Sequence, residues 1–126
     1  MIDIATLTGA CVVALGHHHA GVMGNDDKLI QELLAAGTRA EDRCWQLPLS
    51  EEYAEPLKSN FADFANVGGR DGGAIIAAAY LAKFTQGLKW AHLDVAGIAY
   101  QSGAQKGSSG RPTPLLADFL LHRAAR

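Results

Sequence analysis

Histidine, aspartate and glycine occur in three short patterns whose residue types could do chemistry. In the first pattern His17, His18 and His19 stand in a row, and imidazole nitrogens are common metal ligands. Adjacent side chains on an extended segment point to opposite faces, however, so three consecutive histidines cannot all close on one ion. We therefore interpret this run as a solvated turn rather than as a metal site.

His92 and Asp94 form the second pattern, two residues apart in a segment that the sequence predicts to be a strand. Side chains two apart on a strand share a face, so these residues could ligate a metal or form an imidazole–carboxylate pair. A buried aspartate near a strand end also commonly accepts backbone hydrogen bonds. We favour this structural role, and a site-forming role is the alternative.

The third pattern is a glycine-rich segment that begins at Gly68, ends at Gly73 and runs into a predicted helix. Such a turn can hold a phosphate on the free N–H groups of the helix, and Arg70 could bind the anion. The segment matches neither of the common phosphate-binding fingerprints, and the same glycines would serve a tight connection with positive φ. We favour the tight connection. A non-catalytic anion- or nucleotide-binding module that uses this loop is the alternative function.

Helix and strand patterns alternate along the chain, and this alternation predicts a layered α/β domain that positions these residues. Continuous apolar runs fit strands that are buried on both faces. The predicted strands lie within residues 2–7, 11–15, 20–23 and 89–96, and residues 43–49 are predicted to be a strand or an extended loop. The predicted helices contain residues 29–34, 51–58, 73–84 and 114–120, with Asn25 or Asp26 as the first N-cap and Thr113 as the last. Residues 59–73 and the polar stretch 101–111 are predicted to be loops.

Composition restricts the classes of function. The chain has 126 residues, 48% hydrophobic and 19% charged, so it is globular, and its net charge of −2 gives no basic surface for nucleic acid. Cys11 and Cys44 lack a metal-binding spacing, and we expect two free, buried thiols. No signal peptide or membrane span is visible, so we expect a cytoplasmic protein without a membrane or nucleic-acid partner.

The acidic residues do not suggest a metal cluster. Two-metal hydrolysis needs several carboxylates around ions about 3.5–4 Å apart, whereas the 13 acidic residues here fall mostly on predicted loops and helix exteriors. A core strand at the first residue would also have no upstream partner. We therefore expect the chain to be part of a larger domain.

Several long blocks occur in the order found in one family. The first block reads Asp-Ile-Ala-Thr-Leu-Thr-Gly-Ala from Asp3 to Ala10, and a later one reads Trp-Ala-His-Leu-Asp-Val-Ala-Gly from Trp90 to Gly97. The other blocks cover residues 14–16, 21–25, 42–49, 58–63, 65–69, 72–74, 106–107 and 110–112. Together they resemble the cytosol (leucyl) aminopeptidases, most closely the bacterial members.

The resemblance implies a fold, an activity and an incomplete site. Residues 1–126 would be the C-terminal portion of a three-layer α/β/α catalytic domain around a mixed sheet, without the N-terminal domain and the metal-binding motif. The complete enzyme would be a hexamer that removes N-terminal residues, often Leu, from peptides with two divalent ions, Mn or Zn. Its metal ligands and catalytic residues would precede Met1. The resemblance therefore implies no catalytic and no metal-binding residue here, and an isolated fragment that is inactive and binds no metal.

The resemblance also implies which residues form a substrate wall. Thr6 and Gly9 would border the pocket for the N-terminal side chain, and the backbone near Leu7 would lie beside the bound peptide. Ala96 and Ala99 would form the opposite wall. Small apolar residues suit a leucine-binding pocket. Some relatives carry Met where this sequence has Ala99, so the depth of the pocket is expected to differ.

Overall fold

A computed structural model describes residues 1–126 as two small sheets with helices between the strands. The strands are β1 (Ile2–Ala5), β2 (Ala20–Gly24), β3 (Cys44–Gln46), β4 (Ala91–Asp94), β5 (Tyr100–Gln101) and β6 (Gly107–Ser108). The helices are α1 (Gly9–Leu15), α2 (Asp27–Arg39), α3 (Gly73–Ala82) and α4 (Thr113–Ala124), with one 3₁₀ helix at Glu51–Leu57.

The main sheet is mixed and has the strand order β1-β4-β2-β3. β1 runs parallel to β4, and β2 runs antiparallel to β4 and parallel to β3. Asp3 lies opposite His92, and Val22 lies opposite Leu93. Since neighbouring side chains alternate between faces, Asp3 and His92 share one face while Val22 and Leu93 share the other.

Helices cover both faces of this sheet, which gives the predicted three layers. On one face Val22 and Leu93 pack in the main core with Leu33 of α2 and Leu115 of α4. On the other face α1 and α3 both contact β2, and a Cβ added at Gly21 would lie only 3.1 Å from the Cys11 sulfur of α1. The expected α/β class is confirmed. None of the helices combines the length and the apolar character that a membrane-spanning segment needs.

The apolar run 11–15 is a helix, so the predicted strand is wrong. Thr8 has an extended backbone, and its side chain accepts the Cys11 N–H, which caps a helix that begins at Gly9. The helix buries Cys11 but leaves Val13 89% exposed, so the run is not covered on both sides. A short apolar run alone does not distinguish a strand from a helix.

The other predicted helices and strands lie within a few residues of their observed bounds. Asp26 is the cap of α2 and accepts the Leu29 N–H, whereas Asn25 binds the backbone of Leu88 and Trp90. The last helix begins at Thr113 itself, one residue earlier than predicted.

Three details differ from the sequence pattern. The predicted loop 101–111 contains β6 and the end of β5, which pair as a two-stranded ribbon. Leu120, predicted in the core, is 63% exposed because Leu115 and Phe119 define the buried stripe of α4. Phe84 lies beyond the end of α3 and is also exposed, with its ring 5.6 Å from that of Phe64.

Candidate functional site

The site is formed where β1 and β4 end. The two strands are parallel, so their carboxyl ends meet at one edge of the sheet. Residues 6–9 follow β1 and include the first residue of α1, and residues 95–99 follow β4. These two segments carry all five of the residues assigned to the substrate wall from the family resemblance.

Asp94, the last residue of β4, is fully buried and bridges both segments. Its Oδ1 accepts the backbone N–H of Leu7 at 3.3 Å and the backbone N–H of Ala96 at 3.2 Å. Its Oδ2 accepts the Thr8 hydroxyl at 2.8 Å. We call this set of three bonds the Asp94 clamp. A buried charge is stable only when it is hydrogen-bonded in this way.

The segment after β1 presents backbone and small side chains to the outside. Thr6 and Gly9 are exposed, and Leu7 is 41% exposed. A Cβ added at Gly9 would meet nothing within 4 Å, so no atom of this chain requires glycine there. The Leu7 backbone is nonetheless fixed by the Asp94 clamp, and Thr8 caps α1. The surface is therefore open but held in place.

The segment after β4 is packed tightly against the end of α1. A Cβ added at Gly97 would lie 2.1 Å from the Gly16 carbonyl oxygen, and His17 Nδ1 lies 2.8 Å from the Gly97 carbonyl oxygen. Ala96 is partly buried. Ala99 is also partly buried, but it packs against the main core.

The structure brings the assigned wall residues together through backbone rather than through one enclosed cavity. The amides of Leu7 and Ala96 share one carboxylate oxygen. Leu7 lines an open cleft of about 330 Å³ with Gly68 and Gly69, and neither Ala96 nor Ala99 lines it. The glycine-rich segment therefore faces the same region, which its sequence did not indicate.

His92 and Asp94 share a face of β4 but do not form a pair with each other. His92 is fully buried, and its Nδ1 contacts the carboxylate of Asp3, which also accepts the Trp90 indole N–H at 2.6 Å. Asp94 accepts two backbone N–H groups, so the structural role that we favoured for it is the observed one. Asp3 was not singled out from the sequence, although its place opposite His92 follows from strand register.

The glycine-rich segment has the geometry of a tight connection. Gly69 and Gly72 have φ of +104° and +59°. A Cβ at Gly68 would lie 2.7 Å from Ile76 and Pro56, and one at Gly73 would lie 2.9 Å from the Ala10 Cβ. Four glycines are thus explained by backbone conformation and close packing. His17, His18 and His19 lie in and just after a turn, as predicted.

Both cysteines are free and buried, as predicted. Burial, and then the negative charge of Asp94, raises the pKa of the Cys11 thiol to about 11. Burial, and then the charge of Asp42, raises the pKa of Cys44 to about 12. A thiol that holds its proton this strongly is a poor nucleophile at neutral pH.

The carboxylates of the sheet do not fit a pair of divalent ions. Asp3 accepts from His92 and Trp90, and Asp94 accepts from the three donors of its clamp. Asp42 is bound to Arg111 at 2.6 Å and to the Leu115 N–H. No group of three or more His, Cys, Asp or Glu side chains is placed to hold a metal.

Comparisons with known proteins show which proteins this chain is similar to. The family model described as "Cytosol aminopeptidase family, catalytic domain" matches residues 1–117. A probable cytosol aminopeptidase of Nitrosomonas eutropha is 66% identical over 124 residues, covering 98% of this chain and 25% of that protein. A second, from Nitrosospira multiformis, is 61% identical over 126 residues, covering 100% of this chain and 24% of that protein.

A solved structure has the same fold. A mutant of tomato leucine aminopeptidase superposes with a TM-score of 0.91 and 38% sequence identity, covering 96% of this chain and 24% of that one. The chain thus spans about a quarter of the length of the relatives that it matches.

Proposed function

The chain belongs to the cytosol aminopeptidase family, and from that membership we propose that it forms the C-terminal part of the catalytic domain of a peptidase that removes N-terminal residues, Leu preferred, from peptides. In this proposal the complete gene product carries the catalytic residues and ion ligands elsewhere. This chain supplies two walls of the substrate pocket.

The observation that carries the proposal is the exposed, immobilised backbone at the end of β1. A peptide substrate needs a rigid surface that it can approach closely, and Leu7 and Gly9 provide one. Gly9 has free space where a side chain would project, and Leu7 is held by the Asp94 clamp. The free space at Gly9 supports substrate contact, because packing within the chain does not require glycine there.

We assign each wall residue a binding role. Thr6 and Gly9 border the pocket for the N-terminal side chain, and the Leu7 backbone orients the peptide beside the reacting carbonyl. Ala96 and Ala99 form the opposite wall, where their small side chains leave room for leucine. These residues orient the substrate and exclude water. None of them moves a proton, since none has an ionisable side chain.

The cofactor, assembly and location belong to the same proposal. The family consists of metallopeptidases, which supports divalent-metal use by the complete enzyme. When bound, such ions polarise the scissile carbonyl and activate water. We propose two ions, Mn or Zn, held by residues outside this chain. We also propose a hexamer in the cytosol, the location that the names of the bacterial relatives give.

Hydrolysis of a leucyl chromogenic amide tests the proposal. The complete gene product should release the chromophore in the presence of Mn²⁺ or Zn²⁺ and lose this activity with a chelator. The 126-residue chain alone should remain inactive under the same conditions. A complete gene product that is inactive with both Mn²⁺ and Zn²⁺ would contradict the proposal. Metal-dependent turnover by the 126 residues alone would contradict the claim that the catalytic residues and ion ligands lie elsewhere.

Replacing Ala99 with Met tests the pocket assignment. The longer side chain should fill part of the pocket, so kcat/KM should fall more for substrates with a large N-terminal side chain than for an alanyl substrate. A shortened pocket discriminates by about 10–200-fold per methylene. An unchanged preference in a folded Ala99→Met variant would remove Ala99 from the wall, in keeping with its contact with the core.

The alternative, a non-catalytic anion- or nucleotide-binding module, is not favoured. It relied on the glycines of residues 68–73, and these are accounted for by positive φ and close packing. Saturable nucleotide binding that Arg70→Ala abolishes would revive it.

A further inference from the structure

We propose that Asp94 is a positioning residue that sets the separation between the two walls of the substrate pocket. The inference rests on the proposed function, because it concerns the same pocket. Asp94 does not touch the substrate. It acts through the backbone of Leu7 on one wall and of Ala96 on the other.

The geometry of the clamp is the first argument. A single oxygen, Oδ1, accepts the N–H groups of Leu7 at 3.3 Å and Ala96 at 3.2 Å, so these two amides are tied to one point. The other oxygen accepts the Thr8 hydroxyl at 2.8 Å. Thr8 in turn accepts the Cys11 N–H at 3.0 Å, which extends the connection into α1. Movement of either wall would stretch at least one of these bonds.

The chemistry of the side chain is the second argument. A carboxylate is the side chain that offers two acceptor oxygens without donating, and here each oxygen faces only donors. Asp94 is 0% exposed, so water cannot replace it. Without the carboxylate, the amides of Leu7 and Ala96 would lose their partner, and the loops would move to satisfy them.

A second buried aspartate gives a matched control. Asp42 is 2% exposed and accepts Arg111 Nε at 2.6 Å and the Leu115 N–H at 3.2 Å. Both partners lie at or just before α4, and neither belongs to the pocket walls. Truncating Asp42 should therefore cost stability as Asp94 truncation does, but should leave the pocket unchanged.

The test is the ratio of kcat/KM for a leucyl amide to kcat/KM for an alanyl amide, measured in the complete gene product with its metal. This ratio does not depend on how much of the enzyme is folded. Asp94→Ala should lower the ratio by about tenfold, because a displaced wall affects the larger side chain more. Asp42→Ala should lower both values equally and leave the ratio unchanged.

Two further variants test whether the hydrogen bonds of the Asp94 clamp determine this ratio. Asp94→Asn keeps an oxygen for Leu7 and Ala96 and offers its NH₂ to the Thr8 oxygen, so its ratio should stay near that of the wild type. Thr8→Val removes both the donor to Oδ2 and the acceptor of the Cys11 N–H, and it should lower the ratio part of the way. If Asp94→Ala does not fold, Thr8→Val decides the test.

The outcomes distinguish this inference from the proposed function. A wild-type protein that hydrolyses neither amide overturns both. An active wild type with unchanged ratios in folded Asp94→Ala and in Thr8→Val overturns only the positioning role. A lowered ratio in Asp42→Ala would also overturn it, since any buried aspartate would then have the same effect.

Discussion

At the scale of single residues, three aspartates have different structural roles because their neighbours differ. Asp3 orders an imidazole and an indole, Asp42 neutralises a guanidinium, and Asp94 accepts from three donors in two loops. All three are engaged by protein donors. Gly9 is the opposite case, since no neighbour in the chain restricts what could stand there.

Replacing Gly9 with Ala should change stability and activity in opposite directions. The new methyl group meets nothing within 4 Å, and Gly→Ala at a compatible helical position stabilises by about 0.4–1 kcal/mol. If Gly9 borders the pocket, leucyl kcat/KM should nevertheless fall by about tenfold. Thermal unfolding and steady-state kinetics of the complete gene product measure the two effects. Unchanged kinetics would remove Gly9 from the wall.

Alkaline pH tests the burial of the two thiols. Their pKa values rise from 9.0 when unfolded to about 11 for Cys11 and about 12 for Cys44. Because the pKa of each thiol is higher in the folded protein than in the unfolded chain, its contribution to the free energy of unfolding is fully present below pH 9. This contribution is lost as the pH rises from 9 through 11 for Cys11 and through 12 for Cys44. Urea midpoints should fall over that range, and Cys44→Ala should weaken the dependence. A midpoint that is flat above pH 9 would contradict the burial.

At the scale of helices and strands, close backbone contacts determine where the walls lie. The turn after β4 touches the end of α1 at Gly97 and Gly16, and α3 approaches α1 at Gly73 and Ala10. Neither a backbone oxygen nor an alanine Cβ can move away by changing rotamer. Glycine at these positions is therefore a steric requirement of the packing.

Replacing Gly97 with Ala should destabilise the fold. Its Cβ would lie 2.1 Å from the Gly16 carbonyl oxygen, and overpacking against atoms that cannot move costs about 1–3 kcal/mol. The melting temperature of the complete gene product should fall. Gly9→Ala is the matched control, being the same substitution without a contact. Equal melting temperatures for the two variants would contradict the observed packing.

At the scale of the whole molecule, apolar surface remains uncovered. Val13 is 89% exposed, Phe61 101%, Val67 73% and Trp45 60%. β1 lies at an edge of the sheet, and Ile4 within it is 42% exposed. Exposed apolar patches and free strand edges favour association.

The isolated 126-residue chain should therefore self-associate at micromolar concentration. Its light-scattering mass should exceed the 13.3 kDa of one chain and fall towards that value on dilution. Val13→Asp, which places a charge on the exposed side of α1, should reduce the association. A wild-type chain that remains monomeric at micromolar concentration would contradict the prediction.

Local patterns in the sequence predicted most of the fold. The helical spacing and Asp26 cap of α2, the apolar strand β4 and the glycine-rich connection before α3 all follow from short-range preferences. The resemblance to the aminopeptidases also came from contiguous blocks, and the family is confirmed. Periodicity missed α1, because seven mostly apolar residues give too short a pattern to distinguish it from a strand.

Only the tertiary structure decided how the site is held together. The sequence determined that Asp94 ends a buried strand, but its donors at Leu7 and Thr8 lie 87 and 86 residues away, and no local pattern encodes such a distance. The pairing of Asp3 with His92 likewise depends on the parallel register of β1 and β4. Hydrogen bonds between distant segments exist only after the sheet has aligned the strands, which is why residue types indicated the chemistry while folding fixed its geometry.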